Sequence, residues 1–288
     1  MLTHRLTDRT RPSRVVVLGS GGFVGRAVIP RLTGNGVHIL ALGRDRLDLL
    51  ADDAAARLSA QVQPDDTIIF LAALTPDKGS GIPPFLANLK MAAAVCTALK
   101  DRPPAHIVYV SSDAVYPFRT GLVNEESCAE PADLYGAMHL AREIMVKQTL
   151  SAPVAVLRPT LIYGAADTHN SYGPNRFRRM AADRKITLFG AGEETRDHIF
   201  IDDVAALIEL TVLHASTGTL NLATGQSTSF GEIARKVAAL FPAPVEIVET
   251  PRRNPVTHRA FDVAAIHRAF PDFSFTPLDR GLAEANRQ

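Results

Sequence analysis

Cysteine is nearly absent from this chain: Cys96 and Cys128 are the only two in 288 residues, and they form no CxxC pair. That excludes the usual structural zinc site and argues against a disulfide scaffold. The nine histidines include no HExxH, so no metal site is expected. An excess of one charge is missing as well. Thirty-one Lys and Arg against 30 Asp and Glu leave a net charge of +1, and no global field points to nucleic acid or an anionic lipid surface. No apolar run is expected to span a membrane, because 92–99 is short and is followed by charge. The N-terminal segment is basic and polar without an apolar centre, unlike a secretory signal, so the expected compartment is the cytoplasm. There is no internal repeat and no low-complexity tract.

What is present is ordinary globular texture, 46% hydrophobic and 21% charged, long enough for a large core with a smaller lobe. Apolar runs at 15–18, 38–42, 67–71, 106–110 and 154–157 alternate with helical patterns at 24–33, 51–60, 84–99 and 134–150. Runs apolar on both faces, interleaved with helices, predict an α/β fold: a doubly wound parallel sheet of the Rossmann type. After Gly164 the chain turns polar and rich in Gly, Asn and Arg. We therefore expect a disordered tail at 1–13 and a dinucleotide-binding domain at 14–164 to which 196–225 returns. A smaller C-terminal substrate-binding lobe should be built from 165–195 and 226–288. In the helix from Leu134, the residues Leu134, Met138, Ala141 and Met145 fall on one stripe that should be buried. Tyr135 and His139, four apart, share a different face.

The first strand runs into Gly19, Gly22 and Gly25, which meet a G-x-x-G-x-x-G spacing; the tighter G-x-G-x-x-G fails at Val24. Such glycines allow a tight turn, a close approach of pyrophosphate to backbone, and close helix–strand contact. The helix from Phe23 and Val24 would aim its N–H groups and positive end at the phosphates. A turn without ligand would look similar, but the place directly after a β-branched strand favours a dinucleotide. At the tip of the second strand stand Gly43 and Arg44, where an acidic residue would accept from a ribose 2′-OH. Arg suits a 2′-phosphate, which favours NADP(H). NAD(H) is the alternative if Asp45 or Asp48 supplies the carboxylate.

Further along, residues 66–73 read DTIIFLAA, 110–116 VSSDAVY, 135–139 YGAMH, 157–164 LRPTLIYG, 188–197 LFGAGEETRD and 201–204 IDDV. In this order, from about Arg14 to about Glu284, the chain resembles the extended short-chain dehydrogenases/reductases, the NAD-dependent epimerase/dehydratase family of sugar-nucleotide enzymes. The resemblance implies that Asp48 and Leu49 meet the adenine and that Leu71, Ala72 and Ala73 line the cofactor, with Phe70 in the usual His place. Asn88 matches a structural Asn. Ser112 matches the residue that holds the reacting substrate oxygen, and Tyr135 the catalytic acid/base. Asp113 matches an acid that can relay a proton; Ala114 stands where dehydratases carry Glu, which argues against dehydration. His139 replaces the Lys that binds the nicotinamide ribose and lowers the Tyr pKa, with Glu143 following as is common. An imidazole can still donate to the ribose, and if protonated it would favour tyrosinate. Leu161 stands in an Asn position. Arg196 would bind the nucleotide diphosphate, with Arg259 a second phosphate contact and Asn221 a weaker match.

The implied activity is NADPH-linked reduction of a nucleotide-bound ketosugar, a 4-keto-6-deoxy sugar first of all, with the nucleotide sugar as partner. An epimerase on tightly held NAD is the first alternative, and a non-catalytic NADP-binding regulator the second. The helices at 84–99 and 134–150 are apolar enough to pair two copies as a homodimer, although buried helices would look the same.

Overall fold

Val15, Val16 and Val17 are fully buried and set the centre of the molecule. They lie on β1 (Arg14–Leu18), which leads into α1 (Phe23–Gly34), β2 (Ile39–Leu42), α2 (Ala54–Ser59) and β3 (Asp66–Phe70). Next come α3 (Ile82–Leu99), β4 (His106–Val110), the short β5 (Leu122–Val123), α4 (Leu134–Thr149), β6 (Val154–Pro159) and β7 (Leu161–Tyr163). The computed structural model describes residues 1–118, 121–167, 173–252 and 254–287. Its second part holds α5 (Gly173–Ala182), β8 (Lys185–Phe189), β9 (Thr195–Phe200), α6 (Ile201–Leu213) and β10 (Gly218–Leu222). The chain closes with β11 (Ser227–Ser229), α7 (Phe230–Ala238), β12 (Glu246–Thr250), β13 (Ala260–Phe261), α8 (Ala264–Ala269) and α9 (Leu278–Arg287).

Six strands form one parallel sheet in the order β10-β6-β4-β3-β1-β2. Strand alternation sends Val16, Ile68, Phe70, Ile107 and Tyr109 to one face, where Met91, Val95 and Leu99 of α3 and Val146 of α4 cover them. Val15, Val17, Ile69 and Val108 point to the other face, under Val28 and Leu32 of α1 and Val204 and Ile208 of α6. Each such side chain contributes about 1.5–3 kcal/mol when fully buried. The doubly wound Rossmann-type fold expected from the run pattern is the one found. Strand order reverses between β1 and β3, and a ligand crevice opens at that point in sheets of this kind.

A smaller layer follows. β11, β9 and β7 form a three-stranded sheet, and β12 pairs with β8. Phe177, Ile186, Phe200, Ile233, Val237 and Leu282 fill its core. The domain division differs in detail from the sequence expectation. β9 pairs with β7 rather than joining the large sheet, while Ile266 and Phe270 pack on the large sheet's face. Residues 1–13 are not a loose tail. Thr3 bridges to Thr217, His4 Nδ1 lies 2.8 Å from Ser216 Oγ and its Nε2 2.7 Å from the Ala269 carbonyl.

Two helices also depart from their sequence reading. α3 is long and apolar enough, by length and composition, to cross a membrane, because the run extends back to Ile82. In the fold its Met91, Ala92, Val95 and Leu99 are buried in the core beneath the sheet. On α4 the buried face is the polar one: His139, Arg142 and Glu143 are buried with Met138 and Val146, while Leu134 is exposed.

Candidate active site

The glycine turn is shaped by contacts that a side chain would block. Gly19 has φ +92°, and a Cβ there would lie 2.7 Å from the Ala72 amide nitrogen. The tips of β1 and β3 therefore touch. A Cβ on Gly25 would lie 2.6 Å from the Ser20 carbonyl oxygen, so α1 sits directly on the turn. At Gly21, by contrast, an added Cβ would meet nothing within 4 Å. Gly22 is the N-cap of α1; no side chain caps this end and no acid occupies its first turn. The donors and the positive end of the helix stay available to an anion. This is a cradle that suits a pyrophosphate. Phe23 packs under Gly164, and Val24 joins the apolar clusters on both sides of α1.

At the tip of β2, Arg44 is 80% exposed and reaches Asp48 Oδ2 only at 3.4 Å. Asp48 accepts from the Leu50 amide at 3.0 Å, a bond that with Arg44 holds its carboxyl below the usual range. Leu49 turns inward and is buried in the core. Leu71, Ala72 and Ala73 follow β3, half-buried; the Leu71 amide donates to the Leu18 carbonyl at 2.9 Å.

The tip of β4 carries the second group. Ser112 Oγ accepts from the Ala114 amide at 3.1 Å and caps a single 3-10 turn at Asp113–Val115. Gly136, in the first turn of α4, packs against the Ala114 carbonyl so closely that a Cβ would overlap it. Asp133 caps α4 by accepting from the Gly136 amide at 2.8 Å. Ser112 and Tyr135 thus stand on two touching turns. A groove lined by Leu74, Ser80, Phe85, Asp133, Tyr135 and Met138, among others, opens beside them.

Asp113 and Arg259 are both buried and bond each other at 2.8 Å. Arg259 also donates to the Asp113 and Tyr116 carbonyls, at 3.0 and 2.6 Å. In this arrangement the two charges neutralise one another. Arg196 donates to the Thr257 carbonyl at 2.7 Å and to Thr257 Oγ1 at 2.6 Å. Arg196 and Arg259 both lie over the ring of the exposed Phe118, with 4.6 and 4.1 Å from guanidinium carbon to ring centroid. The sequence singled out both arginines but not the aromatic ring that brings them together.

His139 is buried beneath Tyr135, edge-on to its ring at 4.7 Å between centroids. Its Nδ1 lies 2.9 Å from the Tyr109 hydroxyl, and its Nε2 has no partner among the described residues. Burial, aided by the nearby Arg142 charge, pushes its pKa well below the ordinary value. The imidazole is therefore neutral, and the protonated form that would have favoured tyrosinate does not arise there. Tyr109 holds its proton more tightly than usual, pushed up to about 12 by burial.

Glu143 and Arg158 form a buried two-pronged pair with bonds of 2.9 and 2.6 Å. Ser111 Oγ donates to the same carboxylate at 2.6 Å. Arg158 donates to the Tyr116 hydroxyl at 2.6 Å, which donates to Asn221 Oδ1 at 2.9 Å. Asn88 donates to the Leu74 carbonyl at 3.0 Å and accepts from its amide at 2.8 Å, fixing the segment after β3. Arg142, which the sequence reading passed over, is fully buried and donates to the Ala72 carbonyl at 2.7 Å. Its place seven residues after Tyr135, on the stripe that also holds His139, was a readable signal.

Over 167 residues the chain is 32% identical to a dTDP-L-rhamnose 4-epimerase of Burkholderia thailandensis; the match takes in 54% of this chain and 45% of that protein. It is 25% identical over 268 residues to a UDP-glucose 4-epimerase of Mycolicibacterium smegmatis, covering 81% and 84%. The fold matches a GDP-L-fucose synthetase of Naegleria fowleri bound to NADP, with a TM-score of 0.84, 19% identity and coverage of 100% and 97%. Residues 15–223 match the NAD dependent epimerase/dehydratase family, and the chain belongs to that family.

Proposed function

We propose that the chain is an NAD(P)-linked oxidoreductase that reduces the keto group of a nucleotide-linked 4-keto-6-deoxy sugar. The observation that carries this reading is the packing of Gly136 against the Ala114 carbonyl. It sets the start of α4 and the Ser112 turn side by side at the sheet edge that also bears the glycine turn. A nicotinamide, when bound, supplies the hydride. Tyr135 gives its proton to the carbonyl oxygen as negative charge develops there, and the Ser112 hydroxyl holds that oxygen. The glycine turn and the uncapped end of α1 take the pyrophosphate. Arg44, exposed and only loosely tied to Asp48, takes a 2′-phosphate, so NADP(H) is the cofactor in this reading. Arg196 against Phe118 takes the nucleotide diphosphate. Ala114, small and apolar, supplies no second acid for dehydration.

A second reading, epimerisation at C4 on retained NAD, is favoured by the two curated relatives, both 4-epimerases by name. NADPH oxidation against a panel of nucleotide 4-ketosugars, with NADH in parallel, separates the two. Turnover of one ketosugar is expected, falling by about 10²–10⁴ in Tyr135→Phe. A protein that binds cofactor yet oxidises none of it overturns the reductase. Conversion of a nucleotide sugar to its C4 epimer without net cofactor turnover then selects the second reading.

A further inference from the structure

We propose that Arg142 is the buried cation that lowers the cost of ionising Tyr135. The family resemblance assigns this task to a Lys at the position His139 occupies. The inference rests on Tyr135 as the acid/base group.

Tyr135, His139 and Arg142 lie at i, i+4 and i+7 on α4 and share one face of the helix. Long helical side chains lean back toward the N-terminus, and Arg142 does so: its Nη1 lies 3.8 Å from Met138 Sδ. The guanidinium rests over the ring of Phe70 at 4.4 Å and over that of Tyr109 at 5.3 Å. Two departures from the family pattern, Phe70 in place of His and His139 in place of Lys, therefore meet around this one side chain. Phe70 offers a π face to the cation. Tyr109 holds His139 and flanks Arg142 at the same time.

Several other charged and titratable groups on the neighbouring elements are neutral or already bonded. On α4, His139 is neutral and Glu143 is paired with Arg158. On the 113–115 turn, Asp113 is paired with Arg259. Tyr109 of β4 and Cys96 of α3 are both pushed up by burial and stay protonated. Asp133, at the N-cap, bonds the Gly136 amide. Among the described residues no carboxylate pairs with Arg142, and its Nε has no hydrogen-bond partner. A guanidinium keeps its proton in a protein even when burial lowers its pKa. An isolated charge in a low-dielectric site acts strongly on its neighbours. Arg142 also holds the Ala72 carbonyl, beside Gly19, so the same side chain links α4 to the dinucleotide turn.

The test needs no turnover. The chain has no Trp and five Tyr, so tyrosinate absorbance can be followed without indole interference. Subtracting the Tyr135→Phe titration isolates Tyr135. In the wild type we expect its step about one unit or more below the ordinary value of about 10. Arg142→Met should raise that step by about one unit, and Arg142→Lys should return most of the shift. A wild-type step at or above the ordinary value overturns the proposal, as does a folded Arg142→Met protein with an unchanged step. If Arg142→Met does not fold, the wild-type step and the Arg142→Lys step decide: Lys keeps a low step low if charge is the cause, and either step found at the ordinary value overturns it. Loss of the acid/base reading itself would appear elsewhere, as full activity in Tyr135→Phe.

Discussion

Arg142 on α4 and Arg158 beside it are both buried, yet among the described residues only Arg158 has a carboxylate. Arg158 is matched at every turn, with two bonds to Glu143 and one to Tyr116. Arg142 has a carbonyl, a thioether and two aromatic faces. The first arrangement cancels charge and leaves a well-satisfied internal joint. The second leaves a positive field in the core, aimed along the face that Tyr135 shares. Identical side chains, one on α4 and one on the neighbouring β6, thus separate holding the fold from tuning a site, and what separates them is the counter-ion.

The sharpest way to break the contrast is Arg158→Met. It removes the two-pronged partner of the buried Glu143, leaving it Ser111 Oγ at 2.6 Å and Lys147 Nζ at 3.8 Å, and about 3–5 kcal/mol of stability should be lost in urea unfolding. Arg142→Met strands no carboxylate. It gives up one hydrogen bond and the ring contacts, so about 1–2 kcal/mol should be lost. If the second loss equals or exceeds the first, the contrast between the two arginines fails.

Next in size is a pH effect that probes the neutral histidine between Tyr135 and Arg142. His139, like His106 and His198, has a folded pKa below its unfolded value; for His106 and His198 it falls to about 4. The unfolded chain then binds more protons as pH falls below about 6.5, so stability should decline from there toward pH 4. Above pH 7 these groups contribute no slope. His139→Asn should flatten part of the acid decline and leave the Tyr135 ionisation step near its wild-type position. A large rise of that step would hand the electrostatic role back to His139. The smallest change concerns an arginine that is largely exposed. Arg44→Ala should alter stability by less than about 0.5 kcal/mol while lowering the NADPH-to-NADH affinity ratio, measured by cofactor titration.

How far the sequence reached follows the same division. The sheet was legible because its strands are short and apolar on both faces, and the glycine turn because two backbone approaches, at Gly19 and Gly25, permit no side chain. The buried face of α4 was read in part: of Leu134, Met138, Ala141 and Met145, Met138 is buried and Met145 packs against the core, but Leu134 is exposed and His139, Arg142 and Glu143 share the interior. The polar part of that face carries no hydropathy signal, and its partners Arg158, Tyr109 and Ala72 account for its burial. The Asp113–Arg259 pair joins residues 146 positions apart, and no local pattern announces it. The N-terminal segment was misread for a related reason. Its polar side chains find specific partners, His4 with the Ser216 hydroxyl and the Ala269 carbonyl, and need no apolar run to be held.

The chain of bonds from Ser111 through Glu143, Arg158 and Tyr116 to Asn221 ties β4, α4, β6, the segment after the 113–115 turn and β10 to a single interior point. A local opening of any one of these elements would expose a charged group whose partners sit on the others. They therefore form one cooperative unit. In native-state hydrogen exchange their amides would be released together, at the rate of global unfolding, so the helix that carries Tyr135 has no private route to fraying along this span.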